Sequence, residues 1–164
     1  MARVFRARCV RLTQLAILLL LVGCTQFLKF DTTAYQNTVQ LKFETLALID
    51  KSGDKYAAHQ SEVQTLLAKY DSAADAASKV PSNDAVVQAW QIIRGVQAGS
   101  AGEFFQFWKQ RGALRPAIRA DKKTQITRHF DYVICLEAAK AGGPACESPL
   151  STSPAPASAP PTSG

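Results

Sequence analysis

The start of the chain limits which residues are available for folding. Residues 15–22 form an unbroken apolar run, preceded by a segment with four arginines, and the first acidic residue of the chain is Asp31. The run is much shorter than the ~20 apolar residues that cross a bilayer. A basic start followed by a short apolar run is typical of an export signal rather than of an amphipathic helix.

The apolar run ends at a cysteine, in the segment Leu21, Val22, Gly23 and Cys24. A small residue followed directly by cysteine resembles the lipobox of bacterial lipoproteins. The resemblance implies thioether attachment of diacylglycerol to Cys24, cleavage before it and acylation of the new amino terminus. Two alternatives remain open: a cysteine buried in a globular helix, and a soluble secreted protein cut near the same place.

The net charge depends strongly on this segment. The whole chain carries 19 basic and 13 acidic residues, a net charge of +6. The four arginines leave with the signal, so the mature chain retains 15 basic and 13 acidic residues, a net charge of +2. The basic character belongs largely to the targeting segment, and the charge gives no support for nucleic-acid binding.

Composition divides the chain into four parts. We expect a signal peptide over residues 1–23, a lipidated tether over 24–30, one helical domain over 31–146 and a tail over 147–164. The tail is rich in Pro, Ser and Ala, and Leu150 is its single apolar anchor. Such a segment buries too little surface to offset its ordering entropy, so we expect it to be disordered.

Cys135 and Cys146 remain after the signal-segment Cys9 and the lipidated Cys24 are set aside. Gly142, Gly143 and Pro144 lie between them and favour a turn after a helix. An oxidising periplasm and this spacing predict a disulfide between the helix end and the returning chain. The alternative is two unpaired thiols. No histidine lies near Cys135 with metal-ligand spacing, so no metal site is expected.

Apolar residues recur at three- to four-residue spacing through the body of the chain, and no alternating strand pattern occurs. The spacing predicts an all-α fold, an antiparallel bundle of four to five helices preceded by a signal-peptide helix and followed by a disordered tail. The first helix is expected from Asp31 or Thr32, with a capping box at residues 33–36, to about residue 51. The later helices are expected at about 54–79, 83–98, 103–111 and 116–141, with a loop at 99–102.

Each helix has an expected buried stripe. The first helix is expected to bury Tyr35, Val39, Phe43, Leu46 and Ile49. The stripe of the second helix is Tyr56, His59, Val63, Leu66, Leu67, Tyr70, Ala74 and Ala77. The stripe of the third helix is Val86, Val87, Trp90, Ile93 and Val96 or Gln97. The last helix is expected to bury Ile118, Ile126, Phe130, Val133 and Cys135 or Leu136.

The fourth helix carries the densest apolar cluster, Phe104, Phe105, Phe107 and Trp108. Phe104, Phe107 and Trp108 fit one helix face, which leaves Phe105 outside it. One interpretation is a helix buried almost all round; the other is an exposed patch that binds a partner or a membrane.

Few residues suggest catalysis. His59 lies on an apolar stripe and is expected to be a packed imidazole, and His129 is interpreted in the same way. Glu103 stands at a helix start, where negative charge is favoured without any catalytic role. No nucleophile, base and oxyanion set and no catalytic motif is present, so we expect no enzyme activity and no cofactor.

Basic residues are concentrated late in the chain, at Arg111, Arg115, Arg119, Lys122, Lys123 and Arg128, with only Asp121 among them. The simpler interpretation is a solvated face that complements the more acidic first half. The alternative is docking to anionic lipid phosphates or to cell-wall carboxylates.

Two segments, residues 30–37 (FDTTAYQN) and 88–92 (QAWQI), resemble a family of small uncharacterised bacterial lipoproteins. The order of lipobox, tether, first motif, helical body and Trp-bearing helix is also similar, over roughly residues 1–140. The resemblance implies a helical lipoprotein of the cell envelope and carries no activity with it. The Pro/Ser tail and the cysteine pair depart from that pattern.

These observations lead to one main functional expectation, a membrane-anchored, periplasm-facing module that binds or scaffolds an unknown protein partner. In the bacterial lipoproteins that this chain resembles, an aspartate directly after the lipidated cysteine disfavours transfer to the outer membrane. Thr25 occupies that place here, so the resemblance implies retention in the outer membrane, facing the periplasm. The first alternative is an envelope enzyme or enzyme regulator with a site near His59 or Glu103. The second is an exclusion or assembly factor of a mobile element or secretion system.

Overall fold

The computed structural model describes residues 29–97 and 99–149. This part of the chain is all-helical, as predicted, and contains no strand. Five α-helices and one 3-10 turn follow one another in it: α1 (Thr32–Lys51), the 3-10 turn (Tyr56–Ala58), α2 (Gln60–Ser78), α3 (Asp84–Arg94), α4 (Ala101–Arg111) and α5 (Pro116–Ala139). The expected signal helix and almost all of the expected tail lie outside the described residues.

Four of these helices pack side by side in the order α1, α2, α3 and α5, and α5 closes the ring against α1. Ion pairs give the directions of neighbouring helices: Lys42–Asp131 and Asp50–Lys123 join α1 to α5, while Glu44–Lys69 and Lys51–Glu62 join α1 to α2. In each set, residue numbers rise along one helix as they fall along the other. The bundle is therefore antiparallel, and the start of α1 lies at the same end as the end of α5.

Helix α4 lies at the opposite end of the bundle, where it contacts α3 and the 3-10 turn. The Trp108 indole N–H donates to the carbonyl of Asp54 at 3.0 Å, and the Leu114 N–H donates to the carbonyl of Ser52 at 2.8 Å. We call this end of the molecule, formed by residues 52–58 and 101–116, the α4 end. The other end, formed by residues 29–38, 76–84 and 137–146, is the terminal end.

Helix starts and stops differ from the expected ones in four places. The second helix was expected from about residue 54, but a 3-10 turn occupies Tyr56–Ala58 and α2 begins at Gln60. Helix α1 starts where expected, and Asp31 caps it by accepting from the N–H groups of Thr33 and Ala34 at 2.8 and 3.2 Å, whereas the capping box expected at 33–36 was wrong. The expected loop at 99–102 was right at residues 99 and 100 only, because the Ser100 hydroxyl accepts from the Glu103 N–H at 3.0 Å and α4 starts at Ala101. Helix α3 ends at Arg94, before the expected residue 98.

An early end of α3 lets α4 approach it closely. A side chain at Gly102 would lie 2.3 Å from the carbonyl oxygens of both Arg94 and Gly95, far inside contact distance. Glycine at this position is therefore required by the contact between the two backbones.

The expected stripe of α1 was confirmed at Ile49 but was wrong over most of its length, because the helix buries a neighbouring face. Its buried residues are Thr38, Leu41, Thr45, Leu48 and Ile49, whereas Phe43 is 63% exposed. Threonine burial is tolerated because each hydroxyl donates within the helix, from Thr38 to the Ala34 carbonyl and from Thr45 to the Leu41 carbonyl. A rule that places polar residues outside therefore misassigns this face.

The middle of the bundle is an aromatic cluster of Tyr70, Trp90 and Phe130, from α2, α3 and α5. Their ring centroids lie 6.0 to 6.2 Å apart, and the Trp90 and Phe130 rings meet edge to face. The Tyr70 hydroxyl shares a 2.5 Å hydrogen bond with the Thr45 hydroxyl of α1. Each of the four bundle helices thus contributes one side chain to the cluster.

Replacing Trp90 tests this core. Trp90 is 2% exposed, so Trp90→Ala should lower the free energy of unfolding by ~3–5 kcal/mol, enough to unfold a domain of ordinary stability. Phe43→Ala, at a position 63% exposed, is the matched control and should cost less than about 1 kcal/mol. Denaturant titration followed by circular dichroism measures both; equal midpoints for Trp90→Ala and wild type would show that the cluster is not central.

Candidate functional site

The lipobox residues Leu21, Val22, Gly23 and Cys24 lie outside the described residues, so their role stays a prediction. The described chain begins at Lys29, at the terminal end of the bundle. Within the described residues, no helix has both the length and the apolar character required to cross a membrane.

The predicted Cys135–Cys146 disulfide is present in the structure, with an S–S distance of 2.01 Å and a Cα–Cα distance of 5.8 Å. Helix α5 ends at Ala139, and Gly142 reverses the chain in a left-handed conformation with φ 88°. Residues 143–146 then run back to Cys135. The bridge holds the start of the C-terminal segment at the terminal end.

The aromatic cluster of α4 is buried rather than displayed. Phe104, Phe105 and Trp108 are at most 2% exposed, so the interpretation as an exposed binding patch fails for these three residues. Phe105 is buried, contrary to expectation, and Phe107 is the partly exposed member. Helix α4 packs against both α3 and the 3-10 turn, so its buried face includes Phe105 rather than Phe107. The guanidinium of Arg111 lies over Phe107, 5.6 Å from the ring centroid.

His59 is held between two carboxylates beside the ring of Trp108. Its Nδ1 lies 2.8 Å from Glu62 Oε1, its Nε2 lies 3.0 Å from Asp54 Oδ2, and the two rings are 5.8 Å apart. Hydrogen bonds to Glu62, and then to Asp54, raise the pKa of His59. Both bonds form together only when both ring nitrogens carry protons. The imidazole thus links two acids, and neither nitrogen is free to act as a base.

Glu103 is also occupied by its neighbours. Its carboxylate accepts from Lys122 Nζ at 2.9 Å, which fastens α4 to α5. Glu103 and His59 share no hydrogen-bond partner, so the structure does not bring the two candidate catalytic residues into one reacting set. Among the described residues, no group of three or more His, Cys, Asp and Glu side chains is placed to hold a metal ion.

The α4 end carries an excess of unpaired positive charge. The side chains of Lys55, Lys109 and Arg115 have no ion-pair or hydrogen-bond partner among the described residues, and all three residues are exposed. The acids nearby are already paired, Glu103 with Lys122 and Asp50 with Lys123. We call Lys55, Lys109, Arg111 and Arg115 the basic end group. Two of its members, Arg111 and Arg115, belong to the basic cluster expected from the sequence.

The terminal end contains a cavity of about 90 Å³ that sequence reasoning missed. Its inner wall includes Thr38, Asn83, Trp90 and Glu137, each at most 4% exposed. Glu137 accepts from Lys140 Nζ at 2.8 Å in a nearly buried ion pair. The burial of Glu137 could have been predicted from the sequence, because Glu137 continues the four- and three-residue spacing of the buried residues Ile126, Phe130 and Val133.

Comparisons with known proteins add no family to this description. No protein-family model, curated protein or solved structure matches the chain.

The environment of His59 predicts a pH-dependent contribution to stability. Because the folded-state pKa lies above the unfolded value of about 6.5, the contribution is complete below about pH 6.5 and is lost as the pH rises through the folded pKa. His59→Gln should therefore lower the melting temperature at about pH 6 more than at about pH 9. His129→Gln is the control, since burial lowers the pKa of His129 and no carboxylate partner contributes. A loss for His59→Gln that is independent of pH would contradict the charged link.

Proposed function

We propose that this chain is a lipid-anchored, periplasm-facing module of the cell envelope that uses its α4 end to bind an anionic partner. Cys24 would carry the anchor, and residues 25–30 would connect it to the terminal end of the bundle. The observation that carries the proposal is the separation of the two ends. The tether joins one end, and the basic end group lies at the other.

The geometry favours a partner away from the anchoring membrane. Helix α1 has 20 residues and spans about 30 Å, so the basic end group faces outward from the membrane surface to which the tether leads. A protein held in the outer membrane would turn this group toward the cell wall. Wall carboxylates are therefore the anionic partner that this orientation favours over the phosphates of the anchoring membrane.

The anchor is tested by Cys24→Ala. This change removes the thiol that would carry diacylglycerol, so membrane fractionation should find unprocessed precursor, or soluble protein if cleavage occurs elsewhere. Wild type should be in the membrane fraction after a high-salt wash. A mature Cys24→Ala protein that remains membrane-bound without lipid would contradict lipid anchoring.

The partner is tested by reversing charge at the α4 end. The double variant Lys109→Glu, Arg115→Glu should co-sediment with purified cell-wall sacculi about tenfold less than wild type, because two attractions become repulsions. Binding of wild type should weaken as salt rises toward about 1 M, where the screening length is about 3 Å.

A second double variant with the same charge change, Lys79→Glu, Arg128→Glu, is the control, because neither residue belongs to the α4 end. It should co-sediment like wild type. Equal losses in both double variants would indicate a general charge effect and would contradict a binding surface at the α4 end.

A further inference from the structure

The outward face of α1 is uncharged. Helix α1, which lies wholly within the described residues, has four charged side chains, Lys42, Glu44, Asp50 and Lys51. An ion pair joins each of them to a neighbouring helix. Every exposed residue between positions 32 and 47 of this helix is uncharged. The outer face of a surface helix ordinarily carries charged side chains, so this face differs from one that only contacts water.

A large apolar side chain lies at the centre of this face. Phe43 is 63% exposed, and it belongs to a line of exposed residues formed by Gln36, Gln40, Phe43 and Ala47. Their spacing of four, three and four residues is the spacing with which one helix contacts a second helix in a two-stranded coiled coil. We call these four residues the α1 seam.

We propose that the α1 seam is the contact surface for a second copy of this chain, with the two α1 helices parallel about a two-fold axis. Such an axis brings the same patch of both copies together, so the patch must be complementary to itself. The uncharged seam meets this requirement, since Phe43 would pack against its own counterpart. The amides of Gln36 and Gln40 would also meet their counterparts, and an amide can both donate and accept.

The charged residues beside the seam favour the parallel orientation. Lys69 of α2 and Asp131 of α5 flank α1 at nearly the same height, because their partners on α1 are only two residues apart. Glu62 of α2 and Lys123 of α5 flank it in the same way, with partners one residue apart. In the parallel pair, α2 of one copy lies beside α5 of the other. Lys69 would then face Asp131, and Glu62 would face Lys123, so opposite charges meet at both heights.

An antiparallel pair centred on Phe43 would instead place α2 beside α2 and α5 beside α5. Lys69 would lie level with the Lys69 of the other copy, and Asp131 with the other Asp131, so like charges would face each other. The parallel pair also places both terminal ends on the same side. Two copies anchored in one membrane could therefore pair in this orientation, and anchoring would raise their effective concentration. That gain rests on the proposed function, whereas the seam and its orientation do not.

A cysteine on the seam tests the contact and the orientation together. In the parallel pair, position 40 of one copy lies opposite position 40 of the other, so Gln40→Cys should give a disulfide-linked dimer. In an antiparallel pair centred on Phe43, the two positions would lie about 9 Å apart along the helices, which is too far for a bridge. The full chain is placed in phospholipid vesicles, oxidised mildly and analysed by non-reducing electrophoresis.

Gln64→Cys is the matched control, because it replaces an exposed glutamine of α2 that lies outside the seam. It should give about fivefold less dimer than Gln40→Cys, since only random collisions bring its thiols together. Wild type, treated in the same way, corrects for dimers formed through the native cysteines.

Phe43→Glu, added to Gln40→Cys, would place two carboxylates together at the axis and should lower the yield of dimer about fivefold or more. Phe43→Leu is the matched comparison, because it keeps an apolar side chain at the same position and should retain the dimer. Phe43 is 63% exposed, so both proteins should keep the helical content of wild type, which circular dichroism measures. If Phe43→Glu does not fold, the comparison of Gln40→Cys with Gln64→Cys still decides.

Equal dimer from Gln40→Cys and Gln64→Cys would overturn the seam as a contact surface. Dimer from the double variant Gln40→Cys, Ala47→Cys, without dimer from Gln40→Cys alone, would indicate an antiparallel pair and overturn the proposed orientation. Either result, together with normal Cys24-dependent fractionation and normal binding to sacculi, would leave the proposed function standing. If the chain is not anchored, the same variants are compared in concentrated solution, and the same outcomes decide.

Discussion

The bundle depends on one buried meeting point, where the rings of Tyr70, Trp90 and Phe130 contact one another and the Tyr70 hydroxyl bonds to Thr45. Aromatic rings bury large areas and prefer tilted or edge-to-face contacts, so this cluster sets both the spacing and the rotation of its helices. The hydrogen bond between Tyr70 and Thr45 joins α1 to this cluster, because a buried tyrosine hydroxyl needs a partner and Thr45 provides it. The two ends of the molecule are organised around this fixed middle.

The bundle itself has four helices, an even number, so the start of α1 and the end of α5 lie at the same end. The short α4 then closes the opposite end, where Trp108 and Leu114 hold the chain at Asp54 and Ser52. Buried aromatic side chains fill the interior of the α4 end, while its unpaired charges remain at the surface. The terminal end is different: small residues and buried polar groups leave it partly open, which is where a cavity can form. This difference between the two ends is the basis of the proposed function.

Much of the fold could be predicted from the sequence, because helix formation follows apolar spacing and the stops at Gly112 and Gly142 are locally encoded. The face of α1 could not, because Thr38 and Thr45 satisfy their hydroxyls inside the helix and so behave as core residues. The orientation of Phe105 depended on which elements α4 contacts, and that is tertiary information. The disulfide was predicted from the expected oxidising compartment and from turn chemistry, whereas the cavity arises from four separate segments that no local pattern connects.

The proposed function requires that the bundle is anchored to the membrane and that its terminal end lies near the lipid surface, with the α4 end facing away. Paramagnetic labels, introduced as non-natural amino acids at positions 79 and 109 of the full anchored chain, measure this orientation against a relaxation agent bound to the lipid surface. The account predicts strong relaxation at position 79 and little at position 109, about 30 Å farther from the bilayer. Equal relaxation at both positions, or stronger relaxation at position 109, would contradict it.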